Sequence, residues 1–333
     1  MHSLAIVGSG AAGTMALLRA TLNNDDCIVF PGTPKDRKRS RAMWVRKIEN
    51  MPAHFGYAKG IDDPMHEVLR WIEASPFAAK LDFRKHTGVA RIEKNDAHFA
   101  IVDSKGEAHA AKYVLLCTGV MDVQPLIGGS IAPVLPFANL QSIDYCLRCD
   151  GHHVLNKPTA VIGHTVAAAW VAIMLHERYS PPAMCILTHG EAPQFDAELR
   201  ELLALYEIQV ESAVIASVDG DAKKGELTGF TFADGRRIPA QMSFVALGML
   251  VYSELAKGLG AELDARGFVK ADAQGQSTVP GLYVAGDVMA ATKKQVYTAW
   301  DTAVNAVDAI NQKLRAEKRA LKLAQFRASR PEA

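Results

Sequence analysis

Cys146 and Cys149 stand two residues apart in the stretch YCLRCDGHH, with Asp150 next and His152 and His153 close behind. Thiols at that spacing can close a redox disulfide, hold a metal, or lie buried and inert. The carboxyl that follows can carry a proton to or from a sulfur. A structural zinc site ordinarily takes four Cys or His ligands in spaced pairs. The remaining thiols, Cys27, Cys117 and Cys185, fall singly in apolar segments expected to be strands. Two adjacent histidines point apart if the segment is extended. No metal ligand set emerges, but the residues alone leave the redox pair, the metal knuckle and the inert thiols open.

The elements around them are more explicit. An apolar strand over residues 4–7 runs into Gly8, Gly10 and Gly13, and a helix is expected over residues 11–20. In that GxGxxG arrangement the first glycine makes the tight turn, the second admits a pyrophosphate, and the third lets helix and strand pack closely. A second strand over 27–30 ends in FPGTPK with no acid, so a ribose contact must come from elsewhere. A further strand leads into Thr118 and Gly119, and a late buried strand, GLYVAGDV, ends at Gly286 and Asp287. Between them TAVIGHTVAAAW repeats the strand-turn-helix order with its glycines mostly replaced: Gly163 remains, but Thr165 and Ala168 occupy the second and third places.

This order predicts an α/β chain of two Rossmann-like (three-layer ββα) dinucleotide-binding domains, the second inserted into the first. The expected boundaries are 1–122 with 251–310 for the outer domain, 123–250 for the inserted one, and 311–333 for a basic C-terminal tail. A chain of 333 residues is long enough for two cores. A net charge of +1 with 22% charged residues excludes a general polyanion binder, and neither basic cluster interleaves aromatics as nucleic-acid binding requires. Residues 160–175 are apolar but broken by His164 and too short to span a bilayer. The N-terminus lacks the basic start of a secretory leader, and five cysteines do not form a secreted framework, so a cytoplasmic location is expected.

In GSGAAG, KIENMPAHFG (47–56), LLCTG, CLRCDG and TVPGLYVAGDV followed by KKQVYTAWDTAVNA, the sequence resembles the low-molecular-weight thioredoxin reductase family of flavoproteins, in the family's order from residue 3 to about 310. The resemblance implies FAD on the outer domain and a redox disulfide between Cys146 and Cys149 on a pyridine-nucleotide-type domain. It implies that Gly8, Gly10 and Gly13 contact the FAD pyrophosphate and that Thr118, Gly119 and Gly286 line the same site. Asp287 holds the ribityl-phosphate region, and Gln295 and Val296, at a helix start, face the flavin pyrimidine edge. Cys149 is then the flavin-facing sulfur, Cys146 attacks the acceptor disulfide, and Asp150 shuttles the proton. Thioredoxin or a similar disulfide protein is the implied acceptor, and a homodimer the implied assembly.

The sequence departs from that pattern where NADPH would bind. Family members that use NADPH keep an intact glycine fingerprint in the inserted domain and a basic stretch after its second strand. Here Thr165 replaces a glycine, residues 188–199 contain no arginine, and Glu191 would repel a 2′-phosphate. NADPH is therefore an unexpected donor. An acid at Glu191 also suits an unmodified ribose, so NADH or a second FAD in the inserted domain is an alternative. Lys35, Arg37, Lys38, Arg39 and Arg41 form one basic cluster. Lys313, Arg315, Lys318, Arg319, Lys322, Arg327 and Arg330 form another. Together they suit an acidic redox partner, and the family's NADPH-independent branch takes its electrons from ferredoxin. A dithiol oxidase is the competing chemistry, but relatives of that kind carry histidine where this chain has Asp150.

Overall fold

The computed structural model describes residues 1–41 and 46–329. Its contacts divide the chain into two units, one of Met1–Ser40, Ile61–Val120 and Val251–Ala333, the other of Arg41–Gly60 and Met121–Leu250.

In the first unit the apolar strands His2–Val7, Cys27–Phe30, Leu81–Phe83, Ala108–Leu116 and Leu282–Val284 pair in parallel, and Phe99–Asp103 and Val89–Lys94 extend the sheet antiparallel. Strands buried on both faces read as unbroken apolar runs, which is why LAIV, CIVF and VLL carry almost no polar residue. The helix Ala11–Leu22 packs its alanines beside those of the helix Val296–Ala328 over one face of the sheet. Arg19 fixes the pair by donating to both carboxylate oxygens of Asp308, at 2.6 and 3.0 Å. The region expected to be a separate basic tail from 311 continues this last helix without a break to Ala328. Residues 312–328 contain neither glycine nor proline and are rich in Ala, Leu, Lys, Arg, Gln and Glu, so nothing stops the helix. Arg330 lies outside the described residues.

In the second unit Gln209–Glu211, Met184–Leu187, Thr159–Ile162, Met242–Val245 and Ile143–Asp144 form an all-parallel sheet in that order. The helix Val166–Tyr179 covers it, and Ile215–Asp221, Glu226–Phe232 and Arg237–Pro239 make a separate antiparallel meander. In both units the strand that precedes the glycine-type turn lies inside the sheet, between two parallel neighbours. Residues 41–60 group with the second unit, whereas the sequence suggested that they belong with the first. Two polar links lie within that grouping: Arg41 pairs with Asp122, and Glu49 reaches His152 and His153. No helix among the described residues is long and apolar enough to cross a membrane.

Candidate functional site

In the first unit three neighbouring parallel strands end side by side, and the turns after them bring together the glycines singled out by sequence. Gly8 adopts φ +103°, and a Cβ there would lie 2.3 Å from the Cys117 carbonyl oxygen. A Cβ on Gly13 would lie 2.0 Å from the Gly8 carbonyl oxygen. These two glycines are packing requirements. Gly10 is different: it is exposed, and no atom of the chain lies within 4 Å of where its Cβ would be. It caps the helix Ala11–Leu22 without a side-chain acceptor, and the space beside the helix start, where a side chain at Gly10 would project, is open. Open backbone at a helix start leaves room for a phosphate.

Gly286, at φ +76°, leaves 2.8 Å between its absent Cβ and that of Ala12, so the turn Gly286–Val288 lies against the same helix start and positions Asp287 there. Gly119, at φ +70°, is also open to solvent on its Cβ side. The Thr118 hydroxyl donates to the Tyr252 carbonyl at 2.6 Å, so it can meet a cofactor only as an acceptor, beside its backbone groups. Gln295 is buried at the start of the last helix, its amide donating to the Lys294 carbonyl, and Val296 opens the helix.

The second unit carries the sulfurs. Cys146 and Cys149 form a disulfide, and both are half-buried. Cys146 stands ahead of the short helix Leu147–Asp150, and its Sγ accepts the Cys149 N–H at 3.1 Å. An N–H aimed at that sulfur favours a thiolate there once the disulfide opens. Asp150 is 3% exposed, and its Oδ1 is buried without a hydrogen-bond partner. Burial, reinforced by the nearby Asp144 carboxylate, pushes its pKa up to about 7. The other thiols are buried and free; burial pushes Cys27 and Cys185 up to about 12 and Cys117 higher still, so none is poised for chemistry.

His152 and His153 do not point apart. The turn Gly151–Val154 is 3-10 helical, not extended, and brings their rings within 4.4 Å. Both Nε2 atoms meet the same Glu49 oxygen, at 3.1 and 2.9 Å. His153 Nδ1 meets buried Asp144 at 2.8 Å, and its hydrogen bonds to Asp144 and Glu49 raise its pKa to about 9. The hydrogen bond from His153 holds the Glu49 carboxyl below its usual range. Neither Glu49 nor Asp144 was found from sequence. Glu49 lies 104 residues from His153, and no spacing rule links them.

Arg41 is also not the free surface cation its cluster suggested. It donates from Nε and Nη2 to the two oxygens of Asp122, at 2.9 and 3.1 Å, and the Asp122 side chain is 5% exposed.

Where a basic stretch would receive a 2′-phosphate, residues 188–195 offer one cationic candidate, His189. Both of its nitrogens are occupied: Nδ1 accepts the Ile215 N–H at 2.9 Å and Nε2 donates to the Leu126 carbonyl at 3.1 Å. Glu191 is exposed. Thr165 caps the helix Val166–Tyr179 with no side-chain hydrogen bond, while Gly163 is retained for packing, 2.7 Å separating its absent Cβ from the Ala246 oxygen.

A family model described as pyridine nucleotide-disulphide oxidoreductase matches residues 2–309. The thioredoxin reductase of Treponema pallidum is 27% identical over 308 residues, covering 90% of this chain and 92% of that protein. The thioredoxin reductase of Streptomyces coelicolor is 27% identical over 314 residues, covering 93% of this chain and 93% of that protein. Among solved structures, thioredoxin reductase from Streptococcus pyogenes superposes with a TM-score of 0.77 at 19% identity, covering 95% of this chain and 99% of that one, a likeness of fold. The chain belongs to the pyridine nucleotide-disulphide oxidoreductase family, as a thioredoxin reductase-like member with a Cys-Cys pair.

Proposed function

We propose that this oxidoreductase is an FAD-dependent disulfide reductase that acts through Cys146 and Cys149 on thioredoxin or a similar protein disulfide, with ferredoxin rather than NADPH as its electron donor. The observation that carries the reading is the Cys146–Cys149 disulfide followed by a buried carboxyl, Asp150, with one oxygen unpaired. FAD at the Gly8–Gly10–Gly13 turn would supply the two-electron couple that opens this disulfide. Two electrons and one proton open the bond to a Cys149 thiol and a Cys146 thiolate, the Cys149 N–H aimed at Cys146 Sγ favouring the charge there. That thiolate attacks one sulfur of the acceptor disulfide and expels the other as a thiolate. Cys149 then attacks Cys146 in the mixed disulfide, releases the second acceptor thiol and restores the Cys146–Cys149 bond. Asp150 holds the proton that moves to and from Cys149.

The donor assignment rests on the residues 188–195, which carry no arginine or lysine and commit His189 to the backbone. Exposed Lys35, Lys38 and Arg39, and exposed Arg315, Lys318, Arg319, Lys322 and Arg327 on the last helix, supply positive surface for an acidic partner. A homodimer completes the reading; light scattering at micromolar concentration checks it, and a monomer refutes it.

Anaerobic reduction of the yellow protein separates the donors. Reduced ferredoxin is expected to bleach the flavin quickly, and NADPH and NADH slowly; fast reduction by either nucleotide overturns the donor assignment. In the same preparation Cys146→Ser or Cys149→Ser should retain FAD and lose disulfide reduction, and full activity in either variant overturns the redox role of the pair.

A further inference from the structure

Two clusters of acidic and histidine side chains bring three donor atoms within 4.8 Å of one another among the described residues: Glu49, His152 and His153, and Asp103, Glu107 and His109. The second is a turn device. Asp103 accepts the Lys105 and Glu107 amides and meets His109 at 3.0 Å, while Glu107 pairs with Arg84. Its donors are consumed by the hairpin.

The first cluster holds no turn of its own; it joins Glu49 to the turn Gly151–Val154. Both imidazoles present Nε2 to one carboxylate oxygen, and the residues come from segments remote in sequence. His153 is oriented from behind by Asp144, 5% exposed, which takes its Nδ1 and leaves Nε2 as the outward donor. A carboxylate behind a histidine is the arrangement that fixes the tautomer of a metal ligand. His152 is half exposed, so the group opens to solvent and has an entry path. Two donors on one tetrahedral zinc ion lie about 3.3 Å apart, given bonds of about 2.0–2.1 Å. The observed separations from Glu49 are 3.1 and 2.9 Å, so an ion between them requires shifts of a few tenths of an ångström. No separation in the group exceeds 4.8 Å, and His152 is exposed enough to move toward an ion.

We propose that Glu49, His152 and His153 form a binding site for a divalent first-row transition ion, zinc foremost, with a fourth position left to water. Two imidazoles and one carboxylate match zinc, and the absence of thiolate from the set sets it apart from a structural Cys site. The ion would tie residues 41–60 to the turn that directly follows Cys149 and Asp150, so its occupancy restrains the redox segment. The site does not depend on the donor or acceptor assigned above, because its readout is binding.

The test uses the oxidised full-length flavoprotein, in which Cys146 and Cys149 are closed and offer no thiolate. Zinc chloride alone is titrated against a chromogenic chelator. One equivalent is expected to bind, with affinity reduced at least tenfold in Glu49→Gln and in His152→Ala and unchanged in Glu107→Gln. Circular dichroism and flavin content monitor folding, and the exposed His152→Ala variant covers the case in which Glu49→Gln fails to fold. No binding to the oxidised chain, or equal affinity in the wild type and both cluster variants, overturns the site.

Discussion

Replacing Gly10 by alanine separates contact with a cofactor from packing within the chain. A C–H···O contact needs about 3.3 Å between carbon and oxygen. Alanine at position 13 would put its Cβ 2.0 Å from the Gly8 oxygen, so backbone must move by more than an ångström. Overpacking of this kind costs about 1–3 kcal/mol or more. Alanine at position 8 meets the Cys117 oxygen at 2.3 Å and must also hold φ +103°, which adds at least about 1 kcal/mol. Position 10 carries neither penalty: its φ is −72°, ψ −159°, and its Cβ would meet nothing within 4 Å. Its stability cost is limited to exchanging glycine for alanine at a helix N-cap, below about 1 kcal/mol. If the amides beyond Gly10 hold a pyrophosphate, the methyl group displaces it from one or more charge-assisted hydrogen bonds, each about 1.5–3 kcal/mol. That corresponds to roughly a tenfold to hundredfold weaker Kd. The assay is flavin-fluorescence quenching on the apoprotein, beside urea midpoints for all three variants. Gly10→Ala should keep its apoprotein midpoint and bind FAD more weakly by that factor; Gly8→Ala and Gly13→Ala should lose stability first. A Gly10→Ala protein that binds FAD as tightly as the wild type would refute the placement of the pyrophosphate.

Arg41→Met should destabilise the second unit by about 3 kcal/mol at neutral pH, because it strands the buried Asp122 carboxylate; the double change Arg41→Met, Asp122→Leu should recover most of the loss, and a urea midpoint unmoved by the single change would contradict this. Burial alone would raise the Asp103 carboxyl, but His109 and the Lys105 and Glu107 amides outweigh it and hold the pKa below the usual range. Its contribution is therefore present above the unfolded value of about 4 and is lost as the pH falls through the native value, so the stability gap between wild type and Asp103→Asn should narrow below about pH 4; a gap independent of pH would be the wrong sign. Charge reversal at exposed Lys35, Lys38 and Arg39 should slow reduction by ferredoxin through association, with a shallower salt dependence, and a rate indifferent to both would show that this face only solvates the chain.

Sequence carried the first unit further than the second because local rules sufficed there. LAIV, the three glycines and the helix after them each have one physical solution, and the neighbouring strands place Thr118, Gly119, Gly286 and Asp287 at the same sheet ends. The Cys146–Cys149 spacing left a redox pair, a metal knuckle and inert thiols open, and it was the family resemblance that pointed to the disulfide the structure holds. What was missed is long-range and polar. Arg41 read as one cation among five in KDRKRSR, since no local pattern distinguishes a solvated arginine from one closed on a carboxylate 81 residues away. His152 and His153 were expected to diverge because the reading assumed an extended segment. A single 3-10 turn reverses that geometry, and only then does Glu49 become their common partner. The departures around Thr165 and Glu191 read differently. Their identities were plain from sequence, whereas the hydrogen bonds of His189, with Nδ1 on the Ile215 amide and Nε2 on the Leu126 carbonyl, were not. A phosphate would have to displace the Ile215 amide from Nδ1 to recruit His189.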